Sequence, residues 1–195
     1  MQSEHPFGPH AGYLSGRMLI AAPNMGDPRF ARSLIYVCGH SDEQTMGLVI
    51  NHPMEGLRLP DLLEQLDIKS DIQVPDQPVL YGGPVERERG FVLHSLDYHT
   101  EDATMPISDQ IGLTASKDIL LAINSEHPPR HSALALGFAN WGAGQIEDEM
   151  AQNAWLICDA DEELIFDDAY GSKWDRAMAK IGVDPARFAD VMGQA

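Results

Sequence analysis

The chain has 195 residues, 44% of them hydrophobic, and a formal net charge of −17 from 13 basic and 30 acidic side chains. One domain with an ordinary buried core fits that length and composition, while the charge opposes any nucleic-acid backbone, where affinity comes mostly from Lys and Arg neutralising phosphates. Two cysteines, Cys38 and Cys158, make neither a disulfide framework nor a Cys-x-x-Cys motif, which points to a reducing cytoplasm. Residues 1–12, with Glu4, His5, Pro6 and Pro9, read as a flexible tail without the basic and apolar regions of a signal peptide, and residues 13–195 read as a single domain. Arg17 to Ala22 is a nearly continuous apolar run ended by Pro23, as in a buried strand. Asp27 before Pro28 has the pattern of a helix cap with proline at the first position, so one helical turn is expected from Pro28 to Arg32. Ser33 to His40 returns as a strand whose alternation puts Leu34, Tyr36, Cys38 and His40 on one face, and Ile35 and Val37 on the other.

Ser41 to Gln44 reads as a hairpin turn, and Met46 to Asn51 as a third strand closed by His52-Pro53, giving a meander. Leu59, Leu62, Leu63 and Leu66 fall at helical spacing with Pro60 in the first turn, followed by a polar loop from Lys69 to Gln77. Pro78 to Tyr81 and Gly90 to Leu96 read as strands around a turn spanning Gly82 to Arg89. A polar loop from Asp97 to Pro106 leads to a short strand at Ile111 to Leu113. A helix from Asp118 to Ile123 follows, capped by Thr114 or Ser116. Ser132 to Phe138 is the last long strand, and Ala143 to Ala154 a helix with Gln145 and Glu149 on one stripe. Trp155 to Cys158 and Leu164 to Phe166 read as short strands, and two terminal helices carry Trp174, Met178 and Ile181, then Phe188 and Val191. Strands in runs with helices between some of them favour α+β with a mixed sheet. No apolar run approaches the ~20 residues that span a bilayer, so no membrane segment is expected.

The densest chemistry lies between the last long strand and the following helix, from Gly137 to Met150. Asn140, Trp141, Gln145 and Glu149 supply a flat wall, one indole donor and polar groups suited to a ligand or peptide; the alternative is that Trp141 fills the core. Gly142-Ala143-Gly144 is no dinucleotide fingerprint, because Glu147 stands where the third glycine is needed. Gly82-Gly83 lacks the ending of a phosphate loop and reads as a tight turn or a ligand-facing loop. Cys38 and His40 on one face give a thiol–imidazole pair but no zinc set, so no metal and no cofactor is expected. Cys38 is read as a packed thiol, with a nucleophile as the minority option. His94 is either a satisfied half-buried imidazole or a base. Asn51 closes its strand, where Asn often satisfies backbone groups. Ser15 misses the spacing of a nucleophile elbow.

These motifs together resemble the YqgE/AlgH family of bacterial proteins. The likeness is carried by Leu19-Ile20-Ala21-Ala22-Pro23 with Asp27-Pro28 and Phe30, by Tyr36 to His40, by Gly47 to Pro53, by Gly82-Gly83-Pro84-Val85 and by Gly90 to His94. Trp141 with Gly144-Gln145 and Glu147, and Asn153-Ala154-Trp155-Leu156, complete it. The resemblance implies an α+β fold with a branched sheet, part of it curled into a small barrel and surrounded by helices, and a family often labelled a transcriptional regulator with no assigned reaction. The chain departs from the family at His52, where Lys or Arg is usual, at Phe138 for Tyr and at Ile146 for Leu; the first weakens an anion site beside Asn51.

Two functions follow as expectations. One is a cytoplasmic module that binds a small molecule or a protein through Asn51, Gly82, Gly83, Asn140, Trp141, Gln145 and Glu149, and acts on gene expression indirectly, without direct DNA contact. The other is an enzyme with His40 or His94 as base near Glu147 or Glu149, which requires an imidazole and a carboxylate to converge. Oligomeric state is left open.

Overall fold

A computed structural model describes residues 13–192, so the expected tail at 1–12 lies outside the described residues. Among the described residues the chain forms ten strands and six α-helices. The apolar runs become β1 (Arg17–Ala21), β2 (Leu34–His40) and β3 (Gln44–Val49), an antiparallel meander. Every residue of β2 is buried, which is why its sequence is apolar on both faces. Between β1 and β2, Pro28–Phe30 forms one 3-10 turn, with Asp27 Oδ1 accepting the Arg29 N–H at 3.0 Å.

Asp27's cap sits where the sequence placed it, but His52-Pro53 does not close the sheet. Pro53 is the first residue of β4 (Pro53–Arg58), a largely exposed strand with the placement proline tolerates. After it come α1 (Leu59–Gln65), β5 (Pro78–Tyr81) and β6 (Val85–Ser95). The expected turn from Gly82 to Arg89 is thus mostly strand. The expected loop from Asp97 to Pro106 ends in β7 (Thr104–Pro106), followed by β8 (Ile111–Thr114) and α2 (Asp118–Ile123). Neither Thr114 nor Ser116 caps α2; the Thr114 hydroxyl is held by His94 and Thr104 instead.

β9 (Ser132–Gly142) runs four residues beyond the expected end at Phe138, so Asn140 and Trp141 belong to a strand. α3 (Gln145–Ala151) and β10 (Trp155–Asp159) follow. Leu164–Phe166 is not a strand but part of α4 (Glu162–Phe166), because Asp161 Oδ1 accepts the Leu164 N–H at 2.7 Å and Glu162 and Glu163 favour the positive helix end. The chain finishes with α5 (Lys173–Lys180) and α6 (Pro185–Met192).

The strands join in the order β10-β1-β2-β3-β9-β6-β8-β7, and β5 is inserted beside β9, with β4 on β5. β9 is where the sheet branches: Ala135 and Leu136 pair with both β5 and β6, while Ala139–Gly142 pairs with β3. Gly82 makes the fork by accepting the Val49 N–H and donating to Leu136 O, both at 2.8 Å. A Cβ on Gly82 would overlap Gly137 O, and one on Gly83 (φ 154°) would overlap the Phe138 backbone. Close approach of two backbones, rather than a turn alone, demands this glycine pair.

The curled sheet encloses one core that runs from Met18, Tyr36 and Leu48 to Phe91 and Leu113, and α5 adds Trp174 and Met178 to it. Its outer face is covered in two places. α3 packs Ile146 beside Trp141 and Trp155, and α1 and α2 pack Leu59, Leu63, Ile119 and Ile123 over Val79, Val92 and Leu134. The architecture is α+β, with a half-barrel sheet and surrounding helices.

Candidate functional site

A β-bulge decides where His40 goes. The β2–β3 register shifts between Val37 and Gly39, leaving Cys38 as the extra residue, so His40 pairs with Thr45 on the outer face while Cys38 stays in the inner core. The two therefore do not share a face, and the expected thiol–imidazole pair is absent. Burial pushes the Cys38 thiol far up, and the Cys158 thiol up to about 11, which makes both poor nucleophiles.

On the outer face His40 meets the carboxylate that the enzyme expectation needs. Its Nε2 lies 3.3 Å from Glu147 Oε1, its Nδ1 lies 2.7 Å from Thr45 Oγ1, and the exposed Tyr13 ring stands edge-on 4.9 Å away. Tyr13's pKa is raised by burial and then by Glu147, which its hydroxyl faces. His94 is elsewhere and fully buried. Its Nδ1 donates to Ser95 O at 3.0 Å, so Nε2 accepts from the Thr114 hydroxyl at 2.7 Å, and Thr104 continues the chain at 3.0 Å. Burial holds its pKa below the ordinary value, and this is a neutral, satisfied imidazole.

The densest part of the sequence is also brought together. Glu149 Oε2 accepts the indole N–H groups of Trp141 at 3.0 Å and Trp155 at 2.8 Å, while Oε1 accepts Gln145 Nε2 at 3.0 Å. Gln145 Oε1 in turn accepts the Gly142 N–H at 3.0 Å. Trp141 is 3% exposed, stacks against Phe30 and meets Trp155 edge-to-face. These polar groups bind one another and tie α3 to β9 and β10. Asn51 makes a similar bracket, accepting from Leu34 N and donating to Arg32 O, both at 2.8 Å. Gly82 and Gly83 are buried at the fork of the sheet.

Asn140 leaves that group, because alternation along β9 turns it to the inner face opposite Trp141. There it borders a cavity of about 290 Å³. The floor is Met46, Phe91, Met105, Leu113 and Phe138, and the rim carries Gln44, Arg89 and Asn140. Period-two spacing puts Gln44 with Met46, Arg89 with Phe91, and Phe138 with Asn140 on one side, and Met46 is the cross-strand partner of Asn140. Phe91 and Phe138 meet edge-to-face at 5.5 Å, and the Arg89 guanidinium lies 5.1 Å over Phe91 while Nη1 pairs with Glu86 Oε2 at 3.1 Å. Of this lining only Asn140 stands out in the sequence; the rest would have needed β9 and β6 to be read at their full length.

Known proteins resemble this chain over nearly its whole length. A family model described as AlgH-like matches residues 18–186. A UPF0301 protein of Caulobacter vibrioides is 49% identical over 184 residues, covering 94% of each chain. One of Bradyrhizobium diazoefficiens is 50% identical over 192 residues, covering 95% of this chain and 90% of that one. Among solved structures, the AlgH protein from Pseudomonas aeruginosa aligns with a TM-score of 0.74 at 37% identity, covering 97% of both chains. A protein from Corynebacterium diphtheriae aligns at 0.70 with 17% identity over 93% of each, which shows the shared fold alone.

Proposed function

The chain belongs to the AlgH-like family, and from that footing we propose that it is a binding protein whose small ligand enters the cavity on the inner face of the curled sheet. The observation that carries this reading is the lining itself: two aromatic rings and two thioethers below, two amides and a guanidinium at the edge. Binding sites are concave and mostly apolar, with a few polar groups that orient the ligand. The size suits a compact aromatic or short-chain molecule that carries a carboxylate or amide for Arg89 and Asn140. On this reading the chain acts from the cytoplasm and influences gene expression indirectly, since a net charge of −17 repels the phosphates that direct contact would need. A salt-sensitive shift of duplex DNA at micromolar protein would overturn that part.

The test of the ligand reading is a thermal-shift screen with aromatic acids, short acyl acids and their amides. A compound at 100-fold its dissociation constant adds about 2.7 kcal/mol, which moves the midpoint by a few degrees. Hits are expected to vanish in Asn140→Ala and in Met105→Trp, which fills the cavity. Hits that survive both variants, or silence across the panel, would sink it.

A second reading, an enzyme, is favoured by one distance, the 3.3 Å between His40 Nε2 and Glu147 Oε1. An imidazole held by Thr45 on one nitrogen and a carboxylate on the other has the arrangement of an oriented base. If it serves turnover, its substrate binds on the outer face beside Tyr13 and not in the cavity, so conversion of a compound in the panel should be abolished by His40→Asn and unaffected by Met105→Trp; conversion that persists in His40→Asn would eliminate this reading.

A further inference from the structure

α1 and α2 do not close over the outer face of the sheet completely. Between them lies a second cavity of about 280 Å³. Val92 and Leu134 form its floor, Leu62 and Leu66 its wall on the α1 side, and Ile119 and Leu120 its wall on the α2 side. Gly90 keeps the space open. A Cβ there would stand 3.7 Å from Leu136 Cδ2 and 3.9 Å from Leu134 Cδ1, in ordinary contact, so sterics do not demand this glycine. The lining holds no aromatic ring, and its shape and composition suit a branched aliphatic group.

The mouth of this slot carries both signs of charge. Glu88 of β6 and Lys117, which precedes α2, both border it and both are exposed. Among the described residues, neither side chain has a hydrogen bond or an ion pair, whereas the adjacent Arg89 is held by Glu86. Ser116 adds a third polar group. Its Oγ is enclosed and has no hydrogen-bond partner among the described residues, although enclosed polar atoms are normally satisfied, and it does not cap α2. The matching ligand has an aliphatic body with a carboxylate and an ammonium at one end. A plain carboxylate would face Glu88 and a plain amine would face Lys117, and such like-charge contacts select against both.

We propose that this cavity binds a free α-amino acid with a branched aliphatic side chain. The side chain fills the slot between α1 and α2, Lys117 holds the carboxylate, Glu88 holds the ammonium, and the Ser116 hydroxyl gains a partner. Removing the apolar group from water drives binding, and the charged groups orient the ligand. The inference is independent of the ligand reading above, because the two cavities lie on opposite faces of the sheet and share only Ala115.

Calorimetric titration of the full chain with L-leucine tests it, beside isocaproate and isoamylamine, which keep the aliphatic body and lack the ammonium or the carboxylate. Leucine should bind with a dissociation constant below ~1 mM, and each analogue at least ~fivefold more weakly. Glu88→Gln and Lys117→Gln alter exposed side chains and should each weaken leucine about fivefold, while Glu88→Gln does not weaken isocaproate and Lys117→Gln does not weaken isoamylamine. Gly90→Val, first checked for a wild-type melting curve, fills the slot and should abolish binding. Met105→Trp, in the other cavity, should leave leucine binding unchanged. Amide signals give a readout that needs no variant: those of Gly90, Ser116 and Lys117 should shift with leucine and those of Gln44 and Asn140 should not. Absence of leucine binding up to ~10 mM, an analogue that binds as tightly as leucine, binding that survives in folded Gly90→Val, or shifts confined to Gln44 and Asn140 would overturn the proposal.

Discussion

Glu149 gathers donors from three elements: Trp141 at the end of β9, Gln145 on its own helix and Trp155 at the start of β10. Hydrogen bonds to a charged acceptor are worth more than neutral ones, and removing the acceptor strands two largely buried indole N–H groups. Glu149→Ala should therefore cost about 2–4 kcal/mol in urea unfolding, with Glu149→Gln in between; a loss under ~0.5 kcal/mol would show that the tie does little. Lys173 poses the opposite case. It is fully buried, donates to Ile165 O at 3.1 Å, and has its pKa lowered to about 8 by burial, against the pull of Asp167 at 3.7 Å. From pH 8 to the ordinary value of 10.5 the unfolded chain holds a proton that the fold has released, so this residue's contribution becomes more favourable as pH rises. The stability of wild type relative to Lys173→Met should accordingly improve between pH 7 and pH 9.5, and a flat difference would exclude the buried ammonium as its source.

Elements follow the sequence where one local rule governs and depart from it where two compete. At the fork of the sheet, Gly83→Ala would put a Cβ into the Phe138 backbone at φ 154°, whereas Gly171 has open space around it. The first substitution should cost at least ~3 kcal/mol or leave the protein insoluble, and the second should be near neutral. Equal melting temperatures for the two would remove the fork as a constraint. β1, β2 and β3 were legible because strands buried on both faces are apolar throughout, whereas the bounds of α2 were reached through a cap that the fold does not make, since neither Thr114 nor Ser116 holds its first turn. Leu164–Phe166 was not, since three apolar residues fit either period and the deciding bond comes from Asp161 outside them. β4 and the first half of β6 were missed because exposed strands carry the charges and glycines of loops. For the site, helical spacing revealed the Gln145–Glu149 pair. The meeting of His40 with Glu147 depends on a bulge that alternation cannot show, and the cavity is assembled from strands far apart in the chain.

At the scale of the molecule, a charge of −17 makes self-repulsion a standing cost of folding. Screening reaches across about 10 Å at 0.1 M salt, so raising sodium chloride from about 20 to 300 mM at pH 7.5 should raise the melting temperature of dilute protein. That gain should shrink as pH approaches the isoelectric point near 4.6, where the net charge vanishes. Acid also acts locally. Burial lowers the pKa values of His52 and His94, so below about pH 6.5 the unfolded chain takes up protons that the fold excludes and stability falls. Asp27, Asp97, Asp161 and Asp167 have lowered values, so their contribution is present above about pH 3.8 and is lost as pH falls through the folded values. Urea unfolding between about pH 7.5 and pH 3 should therefore lose stability first below about pH 6.5 and again below about pH 3.8, and a stability that stays flat from about pH 7 to pH 5 would remove the two histidines as its cause.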